Sequence, residues 1–256
     1  RLAETQKRLA AELMDAAEYV RTLLPRRAYW DDVAADWEFL PSLSLGGDSF
    51  SYWRLSDGRL AVFLIDVSGH GIEAALLSVT VMNFLKAMGY EGLDYGLPGR
   101  VLSRLNRSFR IEDQNNMFFT AWYGVYDPAA RTLTYATGGA PPAILARPNG
   151  DLDELAGDGP LIGVDDTADF SDFVTRVEPG SNLYLFSDGL FEVRRRDGSM
   201  LPWEDFLKLI AAHHRECALA PSCLSPIKRI VNEILELSSK DHFEDDVSIV
   251  ELAFHA

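Results

Sequence analysis

Four short acidic motifs, far apart in the chain, each border an apolar run: Gly46-Gly47-Asp48, Asp66-Val67-Ser68-Gly69-His70-Gly71, Ser187-Asp188-Gly189 and Glu244-Asp245-Asp246. The runs include Leu60-Ala61-Val62-Phe63-Leu64-Ile65 and Leu183-Tyr184-Leu185-Phe186. An unpaired carboxylate at the edge of a core pays a desolvation penalty or shifts its pKa. Several such groups converging on one place repel each other unless a cation neutralises them, and hard divalent cations prefer oxygen ligands. The pattern therefore predicts a carboxylate-lined metal site and an enzyme. Asp66 is placed to bridge two cations, with the Val67 carbonyl as a further oxygen ligand.

Each motif also has a plainer reading. Asp66 and Ser68 could cap the helix that follows, since Ser and Asp accept hydrogen bonds from first-turn amides. Asp188 could occupy an ordinary turn after a strand. Asp245-Asp246 is harder to dismiss, because two adjacent carboxylates enter an apolar strand. The weight falls on the four motifs together, as acids seldom border cores without a partner.

These motifs need a scaffold, and the chain is long enough to provide one. It has 256 residues, 47% of them hydrophobic, which fits one large domain, or one domain with an appendage. The formal net charge of -15 argues against nonspecific nucleic-acid binding and against docking on anionic lipid. Cys217 and Cys223 are too few for a disulfide framework and suit a reducing, cytoplasmic setting. With His213 and His214 they match no common zinc spacing. No apolar run reaches the ~18 residues that span a bilayer, and no signal peptide is visible. The start at Arg1 rather than Met reads as a fragment or a processed chain.

Periodicity supplies the elements. Leu2, Gln6, Leu9, Leu13, Ala16, Val20 and Leu23 form a heptad seam that Pro25 ends. A linker helix over residues 1–25, dimerising through residues 1–24, is expected before a domain over 26–256. Strands are expected at Trp37 to Leu40, Phe50 to Leu55 and Leu60 to Val67, with Ser56-Asp57-Gly58 as a hairpin turn. A helix through Ala74, Leu77, Val81, Leu85 and Met88 closes at Gly89, and Pro98 opens another. Strands resume at Phe118 to Tyr126, Thr132 to Ala136, Ala143 to Ala146, Phe173 to Val177 and Leu183 to Phe186. Helices near Trp203 to His213 and Ser225 to Leu237 precede a last strand, Val247 to Phe254. Strand runs and helix pairs without βαβ alternation predict an α+β protein, antiparallel sheets with helices outside. The loop Gly157 to Asp166, rich in Gly and Asp, is expected to be mobile.

The order Gly-Gly-Asp, Asp-Val-Ser-Gly-His-Gly, Phe-Phe-Thr, Ser-Asp-Gly, Asp-Asp-x-Ser resembles the metal-dependent serine/threonine phosphatases (PPM, or type 2C), in their bacterial SpoIIE-like branch. The resemblance spans about Leu23 to Leu252. It includes Leu23-Leu24-Pro25, Leu105-Asn106, Met117-Phe118-Phe119-Thr120 and Gly159-Pro160-Leu161-Ile162-Gly163. It implies a β-sandwich of two antiparallel sheets flanked by helix pairs, with two Mn²⁺ or Mg²⁺ ions at one end. By position it implies Asp66 and the Val67 carbonyl as ligands, Asp188 and Asp245 on the second ion, and Asp48 as a ligand or just behind. Asp246 ranks second. Three departures stand out. Ser51 replaces a frequent second acid, Gly139-Ala140-Pro141-Pro142 replaces a frequent Gly-His, and no arginine presents itself as a phosphate clamp. The principal acids all remain, which argues against a dead pseudophosphatase.

Two cations ~3.5–4 Å apart can lower the pKa of a shared water, which then attacks phosphorus in line. His70 is a candidate proton donor to the leaving oxygen, weighed against a structural role at the helix start. The expected activity is protein serine phosphatase, with Asp66 and Asp188 catalytic. The resemblance implies a phosphoserine on a STAS-type anti-sigma-factor antagonist as substrate, and an upstream receiver or sensor domain. The rivals are a catalytically silent adaptor of the same fold and a hydrolase of small phosphoesters.

Overall fold

The computed structural model describes residues 2–41, 45–88, 92–219 and 226–255. Helix α1 (Leu2–Leu23) leads into two sheets. One holds β1 (Ala28–Tyr29), β2 (Val33–Leu40), β7 (Ala143–Ala146), β8 (Leu152–Leu155), β10 (Asn182–Phe186) and β11 (Val247–Phe254), in the order β1-β2-β11-β10-β7-β8. The other holds β3 (Ser49–Arg54), β4 (Leu60–Val67), β5 (Phe119–Asp127), β6 (Thr132–Gly138) and β9 (Phe173–Arg176), in the order β3-β4-β5-β6-β9. The pairings within both sheets are antiparallel.

Side-chain alternation explains the layering. Leu60, Val62 and Leu64 of β4 join Val250, Leu252 and Phe254 of β11 in a core between the sheets. Their neighbours Ala61, Phe63 and Ile65 point outward against α2 (Ile72–Met88) and α3 (Pro98–Ser108). Val247 and Ile249 point the other way, against α4 (Trp203–Leu219) and α5 (Pro226–Leu237). A strand covered on both faces reads as an unbroken apolar run, which is why β4 and β11 stand out in the sequence. The result is a helix–sheet–sheet–helix stack, the sandwich that was expected.

The differences lie at the edges. β1 and β8 were not anticipated, and β2 begins four residues earlier than expected, at Val33. These strands are short or half-exposed, so they carry little apolar signal. α4 runs on past His213 to Leu219. Gly89, the expected helix stop, and Cys223 lie outside the described residues. The segment Gly157 to Asp166 is tied down rather than free. Asn106, fully buried in α3, accepts the Gly163 N–H at 2.8 Å and donates to the Asp165 carbonyl at 2.6 Å. Ile162 N–H adds a bond of 2.9 Å to the Phe119 carbonyl. The two smaller motifs around Asn106 and Gly163 are thus one contact.

Candidate metal centre

Antiparallel pairing collects the four motifs at one rim. Asp48 immediately precedes β3, and Asp66 lies at the far end of its partner β4. Ser49 is paired with Ile65, so the next step of the same register sets Asp48 beside Asp66. On the other sheet Asp188 follows β10, and Asp245-Asp246 precedes β11; Phe186 pairs with Ile249. The end of one strand and the start of its antiparallel neighbour share an edge. Stacking the sheets then brings both pairs together, and the Gly47 N–H of one sheet meets Asp246 Oδ2 of the other at 2.6 Å.

Depth grades across the cluster. Asp48 is buried, Asp66 and Asp188 are half-buried, and Asp245 is exposed. Burial, and next the charge of Asp66, push the Asp48 carboxyl well above the usual range. Burial pushes Asp66 up to about 7, reinforced by Asp188, Asp245 and Asp246. Burial and then Asp245 raise Asp188. The charges of Asp188, Asp245 and Asp246 reach Asp66, and the charge of Asp66 reaches Asp48. Among the described residues no three His, Cys, Asp or Glu side chains stand close enough together to hold a metal ion as they lie; the acids share an edge and feel one another's charge.

Asp48 sits behind the others. Neither of its carboxyl oxygens has a hydrogen bond of normal geometry, although the Ser187 and Ser248 hydroxyls lie close enough to favour its charged form. A buried carboxyl with orphaned oxygens, beside two more acids whose charge it opposes, suits a divalent cation. The Val67 carbonyl lies against Gly47, where a Cβ would come within 2.8 Å. The donor set of carboxylates and one carbonyl fits Mg²⁺ or Mn²⁺ better than a thiophilic metal.

The plainer helix-cap reading of Ser68 does not hold. Its Oγ accepts the Phe118 N–H at 3.0 Å, and its N–H donates to the Phe118 carbonyl at 2.9 Å, extending the β4–β5 pairing. Gly69 and Gly71 then turn the chain with φ of 92° and 85°, a region side chains avoid. The histidines near the cysteines also part company. His213 Nε2 is 2.8 Å from Glu233, while His214 Nε2 is 2.9 Å from the Arg147 carbonyl.

Two hollows open on the acids. One of about 160 Å³ is lined by Asp188, Glu192, Arg194, Phe243 and Asp245 among others. The second, about 500 Å³, is lined by Gly69, His70, Lys240, His242, Phe243, Glu244 and Asp245. His70 is exposed on this groove. Sequence reasoning assigned no part to Ser187 or Ser248, though both stand inside the quoted motifs. Ser187 Oγ accepts the Ser248 N–H at 2.9 Å and donates to the Asp246 carbonyl at 3.2 Å, locking β10 to β11 behind the acids. Arg194, Lys240 and His242 carried no local signal at all.

Comparison with known proteins bears on the family and the fold. A family model described as stage II sporulation protein E (SpoIIE) matches residues 56–255. The phosphoserine phosphatase RsbU of Bacillus subtilis (strain 168) is 27% identical over 250 residues, covering 96% of this chain and 71% of RsbU. The phosphoserine phosphatase RsbP of the same organism is 26% identical over 166 residues, covering 63% of this chain and 40% of RsbP. The solved SiaA-PP2C domain of Pseudomonas aeruginosa superimposes with a TM-score of 0.81 at 20% identity, covering 98% of this chain and 99% of that one. The sandwich is therefore the PP2C fold.

Proposed function

The chain belongs to the SpoIIE family, and from that premise we propose that it is a metal-dependent protein serine phosphatase of bacterial signalling. The observation that supports the reading is the gathering of strand-end acids at one rim by the register of both sheets and the Gly47–Asp246 bond between them. Asp66, the Val67 carbonyl, Asp188 and Asp245 would hold two Mn²⁺ or Mg²⁺ ions, and Asp48 would support Asp66 from behind. Bound there, the ions supply Lewis acidity, activating water for in-line attack and offsetting charge on the phosphoryl oxygens.

The chain's own residues do the rest. Ser187 and Ser248 fix β10 to β11, so Asp188 and Asp245 keep their separation. The groove beside Asp245 gives a substrate segment room, and His70, Lys240 and His242 on its wall place nitrogen donors near an incoming phosphate. In our reading the substrate is a phosphoserine protein, of the STAS-type anti-sigma-factor antagonist class. A receiver or sensor domain precedes the 1–25 linker, which dimerises and passes the signal to the domain at 26–256. α1 reaches the domain through Arg21, which donates to the Phe39 carbonyl at 3.3 Å, and Leu24, just past its end, sits in the sandwich core. Among the described residues no helix is long and apolar enough to cross a membrane.

The test is phosphate release from phosphoserine proteins with Mn²⁺ present. Losing a ligand to a catalytic ion removes several kcal/mol of transition-state stabilisation, about a hundredfold or more in rate. Asp188→Asn and Asp245→Asn should therefore fall to background while still binding the partner. Release at the wild-type rate from either variant would overturn the proposal in favour of an adaptor with adventitious acids.

A further inference from the structure

Asp246 differs from its neighbours in being committed already. Its Oδ2 accepts the Gly47 N–H at 2.6 Å, the short distance of a charge-assisted bond. Its N–H donates to Asp245 Oδ1 at 2.8 Å, and its carbonyl accepts Ser187 Oγ at 3.2 Å. The residue is 4% exposed. A Cβ on Gly46 would lie 2.7 Å from the Asp246 carboxyl, and one on Gly189 would lie 2.2 Å from its carbonyl oxygen. Two other motifs therefore close on this one residue. Gly46 and Gly47 are flat enough to receive the side chain, and Gly189 is bare enough to receive the backbone. The bond to Gly47 joins residues 199 positions apart and crosses from one sheet to the other.

We propose that Asp246 is a positioning residue, which pins the Gly46-Gly47 backbone across the sandwich and so places Asp48, and that it is not a metal ligand. This rests on the metal-centre reading above. A ligand must direct an oxygen and its charge at the ion. A clamp needs only an acceptor at one place, and the Asn side-chain carbonyl supplies the same acceptor without the charge.

The contrast between Asp246→Asn and Asp245→Asn separates the two roles. Mn²⁺ affinity is measured by titration calorimetry, and exchange of the Gly47 amide by NMR, on the whole chain. Asp246→Asn should keep Mn²⁺ affinity within about threefold and keep the amide protected, whereas Asp245→Asn should lose affinity outright. Asp246→Ala should speed Gly47 exchange by about tenfold or more and weaken Mn²⁺ by about tenfold to a hundredfold, the usual effect of losing a residue that orients a ligand. Gly46→Ala, which leaves Asp246 in place but crowds its carboxyl, should speed the same amide, and it decides the matter should Asp246→Ala not fold. The proposal is overturned if Asp246→Asn loses Mn²⁺ as Asp245→Asn does. It is equally overturned if the wild-type Gly47 amide exchanges like an exposed one. Wild-type protein that binds no Mn²⁺ would sink the metal centre alone, and the amide contrast would still judge the clamp.

Discussion

Glu251 lies on β11, on the face turned toward α4 and α5, and is 5% exposed. It stands opposite Tyr184 of β10 and Asp36 of β2. Burial is the main reason its carboxyl is raised from the usual 4.5 to about 7, with Asp36 adding to it. The Asn182 amide, donating at 2.6 Å, and the Tyr184 hydroxyl oppose the rise but do not cancel it. The native state therefore holds a proton here that the unfolded chain gives up above about pH 4.5. The stability this proton represents is complete below the unfolded value and is lost as pH rises through about 7, amounting to about 3 kcal/mol. Glu251→Gln keeps the shape and the oxygen that accepts from Asn182, and removes the titration. Its advantage over the parent should be under about 1 kcal/mol at about pH 5 and grow by about 2 to 3 kcal/mol at about pH 8. Urea unfolding followed by circular dichroism, at fixed ionic strength and with chelator, reads this difference directly. Other titrating groups cancel between the two proteins. A stability offset that stays the same at both pH values would refute the buried-proton argument.

Asn106→Ala leaves the Gly163 N–H and the Asp165 carbonyl without partners and should lower stability by about 2 to 4 kcal/mol by urea unfolding; a loss near zero would mean the loop is held by other contacts. Mn²⁺ at about a hundred times its dissociation constant should stabilise the chain by about 2.7 kcal/mol for each site it fills, raising Tm by about 5 to 10 °C per site. Chelator should reverse the rise, Asp66→Asn should abolish it, and an equal rise in that variant would remove Asp66 from the metal centre. Deleting residues 1–24 should halve the mass in sedimentation, and an unchanged mass would discard the dimer.

Much of this protein was legible along the chain. β4, β7 and β11 fall at the expected residues, because a strand buried on both faces is marked by most of its side chains, with Ser248 and Glu251 of β11 and Asp66 of β4 as the polar exceptions. α3 begins at Pro98, where a fixed φ suits a first turn. The acids were legible too, since a carboxylate closing an apolar run is conspicuous wherever the run leads. What no local pattern carried is who meets whom. β11 threads between β2 and β10. Ser68 spends its hydroxyl on Phe118 rather than on a helix cap. Asn106 reaches Gly163, and Asp246 reaches Gly47. Periodicity and propensity act over a few residues, whereas these contacts join positions brought close only when two sheets stack. The chain by itself named the acids; strand pairing set Asp48 beside Asp66, and the stacking decided that this pair meets the Asp188 and Asp245 edge and that Asp246 holds the backbone behind them.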